Sequence, residues 1–283
     1  MRSKLFVPGT RTELFSKAEA SAADALSFDL EDSVTEARKD EAREALAGYL
    51  RTRPHSGGAP AKKIVVRVNA TATPHFEKDI AALLPARPDI INLPMAEEVS
   101  AVTGLAETIL RRGGDTRILV NIETPFALRR AAELAKAHPL VMGLQIGYAD
   151  LLEPCGMDRR DEAVLSHIRI AVRLAAAEAG IAAYDGAFAD VKDLDGFRKE
   201  CLDARRQGFS GKSCIHPSQV EAANQAFMPT EAQAARARKI VEAAAVAEAQ
   251  GIGAYLVDGQ MIDKPFLESA RALLDLWERA TRA

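Results

Sequence analysis

Two stretches of this chain, R-I-L-V-N-I-E-T-P (residues 117–125) and L-V-M-G-L-Q-I-G-Y-A-D-L (residues 140–151), each place a carboxylate just after an apolar run. The first run is continuously apolar, which is typical of a strand buried on both faces, and it is expected to stop at Glu123. Thr124 and Pro125 then supply the N-cap and the first position of a helix. The second strand is expected to end at Gly147, about three residues before Asp150.

If these two strands are neighbours in a parallel sheet, about 4.8 Å apart, both carboxylates lie above the same sheet edge. Carboxylate oxygens are the ligands that hard divalent cations prefer. The two stretches therefore predict a divalent cation site formed by Glu123 and Asp150.

The rest of the chain alternates short apolar runs with segments of helical period. This gives eight candidate strands, at residues 5–7, 25–30, 64–68, 90–93, 118–122, 143–146, 181–184 and 211–215. Helical segments between them include residues 38–50, 96–111, 126–137 and 168–179. Eight repeats of this kind predict a parallel (β/α)₈ TIM barrel. A Rossmann fold is the weaker alternative, because no strand is followed by G-x-G-x-x-G.

Two further helices, over residues 230–250 and 264–280, follow the eighth strand. The barrel needs neither, so we expect two domains: a barrel over residues 1–228 and a C-terminal helical extension over residues 229–283. The extension is expected either to close the barrel mouth or to pair with another subunit. Residues 51–63, rich in Pro, Gly, Ser and Lys, predict a surface loop.

Composition restricts the possible partners. The 283 residues carry 37 basic and 40 acidic side chains, a net charge of −3 without a block of like charge, which argues against a nucleic-acid or membrane-surface partner. We therefore expect small-molecule partners or copies of the chain itself. The three cysteines are widely spaced and form no C-x-x-C, so a reducing, cytoplasmic location is expected. We find no signal peptide and no apolar stretch long enough for a membrane span.

Chemistry in such a barrel is expected at the carboxyl ends of the strands. The residues there are Pro8, Gly9, Asp29, Glu31, Asp32, Arg67, Asn69, Pro94, Met95, Glu123, Asp150, Asp185 and His216. Converging carboxylates repel one another and raise each other's pKa values. A divalent ion, with Arg67 nearby, would relieve that repulsion.

Each candidate also has a structural explanation. Glu123 and Asp150 could cap helices or meet surface lysines, and Arg67 is either a structural ion-pair partner or an anion receptor. Glu31 and Asp32 form an ordinary loop or hold metal-bound waters. His216, before a proline, is typical of a turn, and the local sequence around residue 263 favours a helix N-cap.

Seven motifs, in order, resemble the citrate lyase β-subunit (citryl-CoA lyase) branch of the HpcH/HpaI aldolase superfamily. They are L-F-V-P-G-T-R, F-D-L-E-D-S-V, V-V-R-V-N, N-I-E-T-P, G-Y-A-D-L, G-K-S-C-I-H-P-S-Q-V and V-D-G-Q-M-I-D-K-P. Together they extend from the first strand to Pro265. The resemblance implies a TIM barrel that binds Mg²⁺ through Glu123 and Asp150 and cleaves or forms a 3-hydroxyacyl-CoA.

The same resemblance implies roles for further residues. Arg67 would bind the carboxylate and oxo group of a 2-oxo acid, while Phe6, Arg11 and Lys17 would contact coenzyme A. Asp263 would be the catalytic acid/base that protonates the acyl-CoA enolate at carbon. The family likeness also implies a homo-oligomer, a trimer or a dimer of trimers, in which the C-terminal segment covers a neighbour's site.

Met95 departs from the family pattern, because relatives usually have Lys after the proline that follows the fourth strand. Three functions therefore stay open: a C–C lyase acting on an acyl-CoA thioester such as citryl-CoA or malyl-CoA, a metal-dependent aldolase for free 2-oxo acids, and a non-catalytic metabolite-binding subunit. The CoA contacts favour the first.

Overall fold

The computed structural model describes residues 1–53 and 62–281, with side chains described as far as Glu278. Most of the loop predicted over residues 51–63 lies outside this described part. Two compact units divide the chain, one formed by Met1–Phe227 and the other by Met228–Ala283.

The first unit is built on a closed barrel of eight parallel strands, which confirms the predicted fold. Each strand pairs with the next along the chain, and the first pairs with the eighth through the register Ser3 to Lys212. The strands are β1 (Ser3–Pro8), β2 (Ala25–Asp29), β3 (Lys63–Arg67), β4 (Ile90–Leu93), β5 (Arg117–Ile122), β6 (Val141–Ile146), β7 (Ala182–Asp185) and β8 (Gly211–Cys214).

Helices follow the strands in alternation, with short additional ones after β5 and β6. They are α1 (Phe15–Glu19), α2 (Lys39–Thr52), α3 (Phe76–Leu83), α4 (Val99–Arg111), α5 (Pro125–Arg129), α6 (Ala131–Lys136), α7 (Tyr148–Leu152), α8 (Glu162–Glu178), α9 (Leu194–Arg206) and α10 (Pro217–Ala226). As predicted, Thr124 caps α5 by accepting a hydrogen bond from the backbone of Ala127, with Pro125 at the first helical position.

The helices differ from the prediction at three places. The helix predicted over residues 168–179 begins six residues earlier, at Glu162. The segment predicted as one helix over residues 126–137 is two helices, separated at Arg130, whose guanidinium binds Glu98 and Glu133. The helix predicted from Ala96 begins instead at Val99, because Glu98 is extended. No helix in the described part of the chain combines the length and the apolar character needed to cross a membrane.

The main hydrophobic core lies between the barrel wall and the helices. Side chains alternate across each strand, so one set packs against the helices and the other faces the barrel interior. On β2, for example, Phe28 packs edge-on against Phe15 of α1, with ring centroids 4.8 Å apart, whereas Asp29 bonds across to Arg67. A second apolar cluster contains Ala25, Val65, Ile90, Leu119 and Tyr184.

The second unit contains the two predicted helices. It also contains a hairpin that the sequence analysis missed. Its elements are α11 (Glu231–Ala249), β9 (Tyr255–Val257), β10 (Gln260–Ile262) and α12 (Lys264–Thr281), packed around a small core of their own. The two-residue turn is Asp258-Gly259, and both residues have positive φ, at 48° and 79°. Asp-Gly is a preferred sequence for such a turn, so this signal could have identified the hairpin.

Candidate metal and substrate site

A cavity of about 280 Å³ opens among residues at the carboxyl ends of the barrel strands. It brings together five of the residues that the sequence analysis singled out: Phe6, Asp32, Arg67, Glu123 and Asp150. Its lining includes Phe6, Asp32, Arg67, Asn121, Glu123, Gln145, Tyr148, Asp150, Arg159 and Ser213.

Glu123 is buried and is held by donors on both carboxylate oxygens. Its Oε1 accepts a hydrogen bond of 2.5 Å from the backbone N–H of Met95, and its Oε2 accepts one of 3.0 Å from Nδ2 of Asn121. On its other side lies Gly147, where an added Cβ would be 2.6 Å from Cβ of Glu123 and would also meet Oε2. A larger residue at position 147 would therefore displace the carboxylate.

Met95 contributes its backbone to this arrangement. Its φ of 49° is unusual for a residue other than glycine, and this conformation accompanies the hydrogen bond from its N–H to Glu123. The side chain is 43% exposed. The backbone contact therefore does not depend on which side chain occupies the position.

Asp150 lies in the first turn of α7, which begins directly after Gly147. Its side chain is exposed and lines the same cavity as the buried Glu123. The neighbouring Tyr148 anchors this short helix, because its buried hydroxyl donates a 2.6 Å hydrogen bond to Asp185.

Negative charge accumulates around the cavity. Burial raises the pKa of Glu123 to about 7, with Asp150 adding to the shift and Met95 and Arg67 opposing it. Burial also raises the pKa of Asp150, and the charge of Asp32 adds to that rise. The pKa of Glu31 rises to about 8 through burial, although Arg67 opposes it.

A divalent cation fits this set of donors. Mg²⁺ usually binds through one or two carboxylates and keeps waters or substrate oxygens as its other ligands. Glu123 and Asp150 form such a pair, and a cation would favour their ionised forms. Within the described ranges no three His, Cys, Asp or Glu residues are grouped so as to enclose a metal.

Arg67 is an ion-pair partner in the structure, which is one of the two roles that the sequence left open. Its Nε and Nη2 donate to the two oxygens of Asp29, at 2.7 and 2.9 Å, and this pairing holds the pKa of Asp29 below its ordinary value although burial alone would raise it. Its Nη1 lies 2.9 Å from Asp32 and 3.0 Å from Glu31. The guanidinium is thus an ion-pair partner that also lines the cavity.

A buried chain of hydrogen bonds, missed by the sequence analysis, runs beneath the cavity. Nζ of Lys4 donates to Oε1 of Gln145, Nε2 of Gln145 donates to Oδ1 of Asn121 at 3.0 Å, and Asn121 donates to Glu123. We call these four residues the interior chain. Burial lowers the pKa of Lys4 well below its ordinary value. Polar residues inside otherwise apolar strands, as in L-V-N-I and G-L-Q-I-G, are the signal that could have revealed it.

The three residues assigned to coenzyme A differ in position. Phe6 lines the cavity, with the guanidinium of Arg67 5.3 Å from its ring centroid. Arg11 and Lys17 are exposed and do not line this cavity, and Arg11 is paired with Glu13.

Two residues expected at the rim have other roles. Asp185 does not line the cavity. It accepts hydrogen bonds from Arg169 of α8 and from Lys212. These three residues, with Glu200 and Arg159, form a buried group that we call the outer ionic cluster. His216 is the N-cap of α10, where its ring accepts a hydrogen bond from the backbone of Ser218, which agrees with the turn interpretation.

Asp263 belongs to the second unit and directly precedes α12, so it occupies the N-cap position that the local sequence favoured. Its Oδ1 is buried and has no hydrogen-bond partner within the described part of the chain. This oxygen therefore does not cap the helix.

Comparison with known proteins identifies relatives along nearly the whole chain. The family model for HpcH/HpaI aldolase/citrate lyase matches residues 2–217. The chain is 36% identical to the citrate lyase subunit beta-like protein of Deinococcus radiodurans, over 97% of this chain and 96% of that protein. It is 34% identical to a (3S)-malyl-CoA thioesterase of Cereibacter sphaeroides, over 96% and 93% respectively.

A solved structure is also similar throughout. It is the CitE protein of Mycobacterium tuberculosis in complex with magnesium, acetoacetate and coenzyme A, with a TM-score of 0.78 and 33% identity. The match covers 98% of this chain and 100% of that one.

The raised pKa of Glu123 predicts that, without divalent cations, this residue makes the protein less stable as the pH rises. Between its ordinary pKa of 4.5 and its folded value of about 7, the unfolded chain releases a proton that the folded state retains. The contribution of Glu123 to the free energy of unfolding is therefore full at low pH and falls through this window, by on the order of 2 kcal/mol.

Urea denaturation of wild type and Glu123→Gln in EDTA, from about pH 5 to about pH 8, measures this effect. The stability of wild type relative to the variant should decrease across the range. A constant difference between the two proteins would show that the Glu123 carboxyl titrates outside it.

Proposed function

The chain belongs to the HpcH/HpaI aldolase/citrate lyase family, and from this membership we propose that it is a Mg²⁺-dependent carbon–carbon lyase acting on a coenzyme A thioester. Its substrate would be a 3-hydroxyacyl-CoA such as citryl-CoA or malyl-CoA, cleaved to an acyl-CoA and a 2-oxo acid or formed from them. The observation that carries the proposal is the cavity shared by Glu123, Asp150 and Arg67.

Glu123 and Asp150 would hold the metal. Mg²⁺ bound there would act as a Lewis acid toward the oxo group of the 2-oxo acid. The protein contributes a preset geometry, since the hydrogen bonds from Met95 and Asn121 keep the Glu123 carboxylate in place before any ligand arrives.

Arg67 would receive the carboxylate of the 2-oxo acid. Asp29 fixes one edge of the guanidinium from inside the barrel, while Nη1 is paired with Asp32, whose side chain is 65% exposed. A substrate carboxylate could take the place of Asp32 at Nη1 with little loss, because an exposed ion pair is weak. The rigid fork of Arg67 would then orient the substrate.

Asp263 would act as the acid/base. In cleavage, the proton of the 3-hydroxyl group would pass to solvent water, the oxygen would form the carbonyl of the 2-oxo acid as the C–C bond breaks, and the C–C electron pair would pass to the acyl-CoA as an enolate. Protonation of the enolate carbon by Asp263 completes the acyl-CoA, and condensation uses the same steps in reverse. Phe6, Arg11 and Lys17 would contact coenzyme A.

The proposal includes a homotrimer, or a dimer of trimers, in which the segment around Asp263 completes a neighbour's site. It also includes a cytoplasmic location. The exposed hairpin residues Leu256 and Met261, which are cross-strand partners, give the second unit an apolar surface suited to an interface.

A panel of citryl-, malyl- and methylmalyl-CoA, assayed with Mg²⁺ or with EDTA, tests the function. A lyase releases a 2-oxo acid without a free thiol, whereas a thioesterase releases free coenzyme A and no 2-oxo acid. We expect Mg²⁺-dependent release of a 2-oxo acid, and we expect Glu123→Ala and Asp150→Ala each to abolish it because one of two protein ligands is lost.

Phenylhydrazine detects the 2-oxo acid and a thiol reagent detects free coenzyme A. Release of thiol alone would favour the thioesterase, and turnover of free oxaloacetate without any thioester would favour the aldolase. Metal binding with no turnover on the whole panel would favour a non-catalytic subunit.

Arg67→Lys is expected to lower kcat/KM by at least about tenfold, because a single ammonium group cannot bind both oxygens of Asp29 and also present a further donor to the substrate carboxylate. This loss should appear mainly as a higher KM for the 2-oxo acid in the condensation direction. If the variant loses thermal stability but keeps wild-type kinetics, Arg67 serves only as the partner of Asp29.

Mixing two inactive variants tests whether Asp263 acts across the subunit interface. After dissociation and reassembly, an equal mixture of Asp263→Asn and Glu123→Ala should recover about one quarter of wild-type activity, since that fraction of sites would receive both intact residues from different chains. The matched control mixes Glu123→Ala with Asp150→Ala. It should stay inactive, because every barrel in that mixture lacks one of the two metal ligands. If both mixtures are equally inactive, Asp263 does not act in trans.

A further inference from the structure

Lys4 is unusual because it is an amine in the barrel interior that forms no salt bridge with a carboxylate of residues 1–53 or 62–278. Its side chain is fully buried, and its amine group donates a hydrogen bond to the amide oxygen of Gln145. Burying an amine in this way is costly, so a compensating function is expected. Lys4 lies on β1 and faces away from the core between barrel and helices, which its neighbour Leu5 joins.

The hydrogen bonds of the interior chain have only one possible direction. At its upper end, a metal-bound Glu123 is ionised and can only accept, so Asn121 must present its NH₂ group to Oε2. The Oδ1 of Asn121 then faces Gln145, which must donate through Nε2 at 3.0 Å. The remaining oxygen of Gln145 points to Lys4 and needs a donor there.

Lys4 meets that need because an amine can donate whether or not it carries a charge. An amide side chain can rotate by 180° and exchange its oxygen and NH₂ group, so Gln145 alone has no fixed orientation. With a donor below and an acceptor above, only one orientation satisfies all the buried groups. Reversing it would set two oxygens against each other and leave buried donors unsatisfied.

We propose that Lys4 is a positioning residue for the metal site: by fixing the direction of the interior chain, it holds the Glu123 carboxylate in the geometry that binds Mg²⁺. Lys4 acts only through Gln145 and Asn121 and touches neither the metal nor the substrate. The proposal rests on the assignment of Glu123 as a metal ligand in the proposed function. Hydrogen-bonding partners behind metal ligands commonly change affinity by about 10- to 100-fold.

Lys4→Met tests the proposal, since it keeps the length and apolar stem of the side chain but removes the donor. Affinity for Mn²⁺, measured by electron paramagnetic resonance, and for Mg²⁺, measured by calorimetry, should fall by roughly tenfold. Thermal stability should not fall in parallel, because a buried amine is replaced by an apolar group. If Lys4 were only structural, metal affinity would not fall while thermal stability is kept.

Ser3→Ala is the matched control on the same strand. The Ser3 hydroxyl lies on the opposite face of β1, where it donates to Asn224 and accepts from the backbone of Asp24. We expect this variant to lower stability without changing metal affinity, since it removes buried hydrogen bonds outside the interior chain.

A double-mutant cycle with Gln145→Met keeps the proposal falsifiable if one variant folds poorly. If Lys4 acts only through Gln145, the double variant should bind metal as Gln145→Met does, so that the two effects are not additive. Additive losses, or wild-type metal affinity in Lys4→Met, would overturn the role of Lys4 while leaving the proposed function intact. If Glu123→Ala binds metal as tightly as wild type does, both the role of Lys4 and the proposed function are overturned.

Discussion

A carboxylate buried at the end of β5 sets the main constraint on this structure. An ionised side chain in the barrel interior is stable only when its oxygens have donors, and Glu123 receives one from the loop after β4 and one from within β5. Satisfying it requires a left-handed backbone at Met95 and the absence of a side chain at Gly147. Three consecutive strand ends are therefore shaped around one side chain.

Two groups of charges differ in how fully they are compensated, and Arg159 belongs to both, because it lines the cavity and also pairs with Glu200. The carboxylates of the cavity are only partly compensated by Arg67, which leaves negative potential where a cation would bind. The outer ionic cluster pairs Asp185 with Arg169 and Lys212, and burial without a partner would be costly for each of them. Tyr148 links the two, because it bonds to Asp185 and lies two residues before Asp150.

The position of Met95 separates its backbone role from its side chain. The contact with Glu123 comes from the backbone N–H, so it does not require a particular side chain. The side chain itself is exposed. A substitution there would change the surface and leave the hydrogen bond to Glu123 available.

The sequence by itself determined the eight strands, the helix start at Thr124 and the convergence of Glu123 with Asp150. It could do so because strand ends follow from local hydrophobic pattern, and all parallel strands in a barrel end at one edge. The hairpin at Asp258-Gly259 was also visible in the sequence but was overlooked.

Only the tertiary structure decided which partners meet across the barrel. Asp185, expected at the rim, bonds instead to Arg169 and Lys212, because its place in the strand alternation turns it away from the cavity. The contact of Lys4 with Gln145 joins residues 141 positions apart in sequence. Such contacts depend on how the closed sheet staggers its strands, which no local pattern in the chain records.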